Sequence, residues 1–150
     1  MKIIIILASI ILVSNLAFAQ NKIFSFNDLV LFSKSKYGFV QKTGKINEYY
    51  GDIECKSAEK KIFDFNVGCG RGGDNISLLV KPNAQKSNHF DLYIQKGDIY
   101  FGKSITTDKK VGELFIISEN QINGNIKLCL EKDAACCGEE GETFVLKKIK

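Results

Sequence analysis

The sequence contains no tryptophan and only one histidine, one proline and one methionine. Histidine is a frequent general base and a common zinc ligand, so a lone His89 restricts both kinds of site. The motifs Gly-x-Ser-x-Gly and His-Glu-x-x-His are also missing. These absences disfavour the common hydrolases. A glycosidase with paired carboxylates stays open because its two acids need no fixed spacing, although a chain without tryptophan makes a poor polysaccharide cleft.

The one long apolar run is at the N-terminus. Residues 3–13 are apolar except for Ser9, they follow Lys2, and they precede Ala17-Phe18-Ala19. The run is shorter than the roughly 20 residues that span a bilayer, and it ends in a small-x-small cleavage pattern. We therefore predict a signal peptide over residues 1–19, a mature chain that starts at Gln20, and secreted or periplasmic localisation. We expect no membrane span in that mature chain.

A strong charge of one sign is also missing. Removing 19 of the 150 residues leaves 131, with 20 basic side chains against 17 acidic ones. Basic residues are scattered among acidic ones, as in residues 56–61, and only the tail 147–150 is locally basic. Nucleic-acid-binding proteins carry a basic stripe, so we expect no nucleic-acid partner. The length fits a single globular β-rich domain over residues 20–150.

Residues 27–37 have the periodicity of a short helix. Asn27 is the expected cap, and Asp28 suits the positive end of the helix dipole. The predicted apolar face consists of Leu29, Phe32 and Lys36, widened by Val30 and Leu31.

From Ile46 onward, short apolar alternations and frequent turn residues predict an antiparallel β-structure. Besides two hairpins, strands are expected at 48–54, 61–67, 75–81 and 142–149, which makes about eight. Connections in sequence order favour a meander that forms a barrel or a two-layer sandwich.

The first hairpin is predicted around Lys96-Gly97. A two-residue turn there pairs Ile94 with Ile99, Leu92 with Phe101 and Tyr93 with Tyr100. Tyr93 and Tyr100 then lie on the outer face and are candidate surface aromatic residues. The expected core face carries Phe90, Leu92, Ile94, Ile99 and Phe101.

The second hairpin is predicted at Asn123-Gly124, because this dipeptide is the strongest short hairpin signal. The turn pairs Ile122 with Asn125. It also brings Ile116 and Ser118 opposite Glu131 and Cys129.

Residues 67–75, VGCGRGGDN, are rich in glycine but match neither phosphate-binding fingerprint. They run from strand to strand, with no helix start to hold an anion. We predict a strand-to-strand loop. Asn75-Ile76-Ser77 is a glycosylation sequon, which matters only in a eukaryotic source.

The stretch 133–142, DAACCGEEGE, is the densest in reactive side chains. Adjacent cysteines suit neither tetrahedral zinc nor a Cys-x-x-Cys redox centre, and the acidic spacing does not match the calcium-binding helix-loop-helix motif. We expect a structural loop between strands 125–132 and 142–149. No metal and no cofactor is predicted.

Export permits disulfides, so all five cysteines are candidates: Cys55, Cys69, Cys129, Cys136 and Cys137. An odd number leaves at least one thiol unpaired, and the sequence does not select a pairing. Cys129 suits a short-loop bridge to the 136–137 pair, whereas Cys55 and Cys69 are rival partners. A turn at 56–59 places Cys55 opposite Lys60 and Cys69 near Ile46, too far apart for a bridge between neighbouring strands.

The sequence therefore favours an exported, non-catalytic binding or interaction protein. The expected partner is unknown: a small apolar ligand inside the barrel, or a protein such as a secreted hydrolase. A structural surface or matrix component is the alternative, and a small secreted hydrolase is the third possibility. His89, at a predicted strand start, is expected to be dispensable.

Overall fold

The computed structural model describes residues 22–41, 43–47, 53–66, 75–100, 103–127 and 142–149. The chain is mainly β-structure with one short helix in these ranges, as the sequence predicted. No helix in the described ranges has the length and apolar character needed to cross a membrane.

Helix α1 covers Phe26–Ser33. Its cap is Ser25, not Asn27: the Ser25 hydroxyl accepts from the backbone N–H of Asp28, and the Asp28 carboxylate accepts from the backbone N–H of Ser25. This reciprocal capping box satisfies two backbone donors, which explains why the helix begins one residue before the expected position. Leu29 and Phe32 are buried as predicted.

The predicted helix was too long and its apolar face too wide. β1 already begins at Tyr37, so Lys36 lies between the two elements instead of on a helical face. Leu31 is exposed, whereas Val30 packs against the core.

Within the described ranges, nine strands form one antiparallel sheet in the order β2-β1-β11-β10-β9-β6-β5-β4-β3, and β7 and β8 form a separate pair. The large sheet curls into a half-barrel, which confirms the predicted antiparallel class. The strands are β1 (Tyr37–Val40), β2 (Ile46–Asn47), β3 (Ile53–Ser57), β4 (Ile62–Asn66), β5 (Asn75–Pro82), β6 (His89–Ile94), β7 (Ile99–Tyr100), β8 (Lys103–Ser104), β9 (Lys109–Ser118), β10 (Gln121–Ile126) and β11 (Glu142–Lys148).

The hairpin predicted at Lys96-Gly97 is wrong. β6 pairs with β9, and β7 pairs with β8, so Ile94 lies opposite Lys109 and not Ile99. β9 is ten residues long and buries Val111, Leu114 and Ile116 beside β6, whereas β7 has two residues. Pairing β6 with the long β9 buries more apolar surface than pairing it with the short β7 would. The β6–β9 pairing is therefore favoured over the tight turn that the local sequence indicates.

The hairpin predicted at Asn123-Gly124 is also wrong. The turn lies at Glu119-Asn120, and Asn123 and Gly124 are internal residues of β10. A Cβ atom on Gly124 would lie 2.2 Å from the Phe144 ring. Gly124 therefore provides space for an aromatic ring on the neighbouring strand instead of a turn conformation.

The turn between β3 and β4 also differs from the prediction. Cys55 pairs with Phe63, not with Lys60, because β3 continues to Ser57 and has a register shift before it. Lys61 closes the turn in the left-handed region, with φ 57°. The strand predicted over 48–54 begins at Ile53 in the described residues, and residues 48–52 lie outside them.

The inward face of the half-barrel is filled by large apolar side chains. Phe63, Phe65 and Phe90 are fully or almost fully buried, and Leu29 and Phe32 of α1 join the same cluster. The Tyr37 hydroxyl donates to the Ile53 carbonyl oxygen at 2.6 Å and also accepts from the Ile53 N–H. This side chain links β1 to β3 and satisfies backbone groups on an edge strand.

One end of the half-barrel, which we call the helix end, carries α1, the segment 22–25 and the loop 83–88. The Asn88 side chain accepts from the Phe24 N–H at 2.6 Å and donates to the Lys22 carbonyl oxygen at 3.1 Å. Lys22 also forms an ion pair with Glu119 in the β9–β10 turn. The N-terminal segment is therefore attached directly to the sheet.

Candidate functional site

The other end of the half-barrel, which we call the loop end, collects the connections between strands. Antiparallel order places the end of β4, the start of β5, the end of β6, the start of β9, the end of β10 and the start of β11 at this edge. The connection between β6 and β9, residues 95–108, is described except for residues 101–102. We call it the excursion, because β6 and β9 are sheet neighbours and the chain leaves the sheet between them.

Two aspartates hold the base of the excursion. The Asp98 carboxylate accepts from the Gln95 N–H at 3.1 Å, and the Asp108 carboxylate accepts from the Lys96 N–H at 2.9 Å. Backbone bonds add to these, from Gly97 N–H to the Ile105 carbonyl and from Ile105 N–H to the Asp98 carbonyl, both at 2.8 Å. The segment therefore has a defined conformation where it leaves the sheet.

The two isoleucines of the excursion have opposite roles. Ile105 is half-buried and packs against the hydrophobic core, which anchors the segment. Ile99 lies opposite Ser104 in the small β7–β8 sheet and is 77% exposed. The predicted core position of Ile99 is thus wrong, since β7 does not lie over the core. Among the exposed large apolar side chains of the described residues, Ile99 is the one that lies on the excursion.

Gly97 belongs to the turn that starts the excursion. Its φ is +95°, a conformation that L side chains rarely adopt. The glycine of the Lys96-Gly97 pair therefore does form a turn, as the sequence indicated, but the turn leads into the excursion instead of into a partner strand for β6.

Beside the excursion, the outer sheet surface carries Tyr93. The Lys81 Nζ atom lies 4.8 Å from the centre of the Tyr93 ring and 3.6 Å from an Asp108 carboxylate oxygen. The backbone bond from Lys96 and the charge of Lys81 lower the pKa of Asp108. Asp108 therefore stays ionised at neutral pH and connects the sheet to the base of the excursion.

A second charged group lies on the outer sheet surface nearby. Lys110 contacts Asp91 at 2.8 Å and Glu113 at 2.6 Å. Partial burial works against ionisation of Asp91, but hydrogen bonds from Lys110 and Asn83 lower its pKa overall. Hydrogen bonds from Asp91 and Glu113 raise the pKa of Lys110. Lys110 therefore forms ion pairs with both acidic side chains, and this charged group fits a structural role beside the site.

The two candidate surface tyrosines are placed differently. Tyr93 is half-buried under Lys81, close to the base of the excursion. Tyr100 is the second residue of β7, and its side chain lies outside the described residues. Their predicted pairing with each other is wrong, because Tyr93 lies opposite Leu79 and Lys110.

His89 is the first residue of β6, as predicted, and is half-buried. Its Nδ1 atom lies 2.7 Å from the Ser87 carbonyl oxygen, and its ring packs edge-on against Phe115 at 4.6 Å. It lies toward the helix end of the sheet, far along β6 from the excursion.

Of the five cysteines, Cys55 lies in the described residues. It has a free, half-buried thiol on β3, and burial raises the pKa of the Cys55 thiol against the opposing effect of Lys34. The thiolate needed for nucleophilic attack is therefore disfavoured. The other four cysteines, the 133–141 part of the acidic stretch and the glycine-rich residues 67–74 lie outside the described residues, so the predicted disulfides stay predictions.

Sequence reasoning missed the excursion because the signal for it is not local. Asp98 and Asp108 enclose a segment that ends in Thr106 and Thr107, and the long apolar alternation of β9 begins only after it. This pattern is compatible with a loop between two long strands, but Lys96-Gly97 by itself predicts a tight hairpin.

Comparison with known proteins gives no family assignment: no family model, no curated protein and no solved structure matches this chain.

Proposed function

We propose that this protein is an exported, non-catalytic interaction protein that binds a protein partner through the excursion at its loop end. The observation that carries the proposal is Ile99, 77% exposed on a segment whose base is fixed by Asp98 and Asp108. Because these hydrogen bonds fix the base of the excursion, less conformational entropy is lost there on binding. Export itself rests on the sequence of residues 1–19.

A protein partner fits better than a small apolar ligand inside the barrel. Ligand carriage needs unfilled space between the strands, and the inward positions carry Phe63, Phe65 and Phe90, which belong to one buried cluster that also includes residues of α1. Ile99, one of five exposed large apolar side chains in the described residues, lies outside the barrel instead. This favours recognition by surface contact.

A non-catalytic role also fits the placement of the reactive side chains. Cys55 lies on β3 and His89 on β6, with β4 and β5 between them. Three strand spacings, measured across the sheet from β3 to β6, amount to roughly 14 Å. Cys55 also shares the inward alternation of Ile53, whereas His89 alternates with the buried Phe90. The two side chains are therefore unsuited to act as a nucleophile and its base.

The proposal can be tested by affinity capture from the native extracellular or periplasmic fluid with tagged mature protein. The decisive variant is Ile99→Ser, and the matched control is Ile23→Ser, because Ile23 is 75% exposed at the helix end. We expect the wild type and the control to capture the same protein and Ile99→Ser to lose it by about tenfold or more, as expected for a central anchor residue. Equal capture by all three would contradict the proposal.

A further inference from the structure

The half-barrel has a seam between β1, near one edge of the sheet, and β3 at the other edge. Backbone hydrogen bonds join β1 to β2 and β11, and they join β3 to β4. No backbone ladder joins β1 to β3 in the described residues. The Tyr37 hydroxyl connects these two strands, because it donates to the Ile53 carbonyl oxygen at 2.6 Å and accepts from the Ile53 N–H.

Helix α1 contacts both sides of this seam. On the β1 side, the Phe32 ring packs against the Tyr37 ring, with 5.2 Å between the ring centres. On the other side, α1 contacts β3, and the Phe26 ring packs edge-on against Phe63 of β4 at 5.7 Å. Leu29 and Phe32 belong to the buried core. The helix therefore covers the seam, and Phe32 couples the helix to the side chain that joins the two strands.

The seam is held by fewer interactions than the strand pairs of the sheet. A helix of eight residues is too short to be stable in water by itself, so α1 depends on its tertiary contacts. The strand pairs have backbone ladders, such as the one that joins β10 to β11 from Gln121 to Ile126. Regions with few bonds open at a lower free energy than the whole fold. We therefore expect the seam to open before the ladders do.

We propose that α1 and Tyr37 form one conformational unit, a latched lid, which opens by local unfolding while the rest of the sheet stays paired. Tyr37 is the latch. When it releases Ile53, Phe32 loses the ring against which it packs, and unfolding of the helix in turn removes the ring that holds Tyr37 in position. Opening uncovers the apolar side chains beneath α1, among them Phe63. The lid is separate from the excursion, so this inference goes beyond the proposed function.

The test is amide hydrogen exchange of the mature protein, followed by NMR. Tyr37→Phe removes the latch hydroxyl but keeps the ring. Ser25→Ala disturbs the lid at the end of α1 away from Tyr37, because Ser25 caps the helix. Tyr93→Phe is the matched control, since Tyr93 is a half-buried tyrosine on the outer face of β6. Circular dichroism checks the fold of each variant, and Ser25→Ala carries the test by itself if Tyr37→Phe does not fold.

We expect Tyr37→Phe to raise the exchange rates of Ile53 and of the α1 amides together by about tenfold, the equivalent of one lost hydrogen bond. Ser25→Ala should raise the Ile53 rate by about fivefold, as expected for the loss of a helix cap, although Tyr37 is intact. Amides of β9 and β10 should exchange as in the wild type, and Tyr93→Phe should change none of these rates.

Two results would overturn the proposal. If Tyr37→Phe affects Ile53 alone, or if Ser25→Ala leaves Ile53 unchanged, the latch and the helix are independent of each other. If the rates in β9 and β10 rise as much as those in α1, the seam opens only when the whole protein unfolds, and there is no separate lid.

Discussion

The helix end and the loop end of the half-barrel are stabilised by different interactions. At the helix end, Leu29 and Phe32 are buried against the sheet and the N-terminal segment is attached through Asn88. At the loop end, the excursion is shaped by two carboxylates and leaves Ile99 exposed. Buried apolar side chains of α1 stabilise the fold at the helix end. At the loop end, hydrogen bonds to Asp98 and Asp108 fix the base of the excursion, which carries the exposed Ile99.

The largest expected effect comes from removing a core side chain that packs against α1 at the helix end. Phe63 is fully buried and packs edge-on against Phe26 of α1 at 5.7 Å. Phe63→Ala should lower the free energy of unfolding by about 3–5 kcal/mol, because it removes apolar burial and leaves a cavity. Urea denaturation measures this. Ile99→Ser is the control, and an equally large effect there would mean that the excursion is part of the core.

A smaller effect is expected from filling space inside the sheet. A Cβ atom on Gly124 would lie 2.2 Å from the end of the buried Phe144 ring, so Gly124→Ala forces that ring to move. Overpacking of this kind costs about 1–3 kcal/mol. Urea denaturation of Gly124→Ala with and without Phe144→Leu tests the cause. If the smaller partner side chain gives no relief, the ring contact is not the source of the strain.

These elements show how far the sequence predicts the fold. Alternation predicts β4, β5 and β11 as strands and the buried face of β6, because period two is a direct consequence of strand geometry. Pairing partners were not predictable in the same way. Asn123-Gly124 has the composition of a turn, but the Phe144 ring that requires Gly124 comes from a strand about 20 residues later.

The candidate site was predictable only in part. Tyr93 was identified as a surface aromatic residue, and it lies beside the excursion under Lys81. Alternation that continues across Lys96-Gly97 predicts a core position for Ile99, which is wrong because Ile99 is exposed. What redirects the chain is the pairing of β6 with β9, which brings Asp108 close to Lys96 across 12 residues of sequence. Such contacts depend on the folded sheet.

The polar fixation of the excursion can be tested without disturbing the core. Asp98→Ala should raise the amide exchange rate of Gln95 by about tenfold, the equivalent of one lost hydrogen bond, while amides in β9 stay protected. Asp98→Asn is the matched control, because its amide oxygen still accepts from the Gln95 N–H. Hydrogen exchange followed by mass spectrometry or NMR reports both regions. Unchanged exchange at Gln95 would show that Asp98 does not order the segment.

The smallest expected effect is electrostatic and concerns the charged group beside the excursion. The pKa of Asp91 is lowered in the folded state, so its stabilising contribution is present above the usual aspartate pKa of about 4 and is lost as the pH falls through the lowered value. After solvent screening, we expect about 0.5–1 kcal/mol. Asp91→Asn should reduce the loss of stability between neutral and acidic pH, as measured by urea denaturation. An unchanged pH dependence would exclude Asp91 as a contributor.

The central claim is that the excursion, and not the helix end, contacts the partner. The most direct measurement is photo-cross-linking with a benzophenone side chain placed at position 99 or at position 23, two positions of nearly equal exposure. Each protein is irradiated in the native extracellular or periplasmic fluid, and adducts are identified by mass spectrometry. The account predicts a discrete protein adduct from position 99 and none of comparable yield from position 23. An adduct from position 23 alone would contradict it.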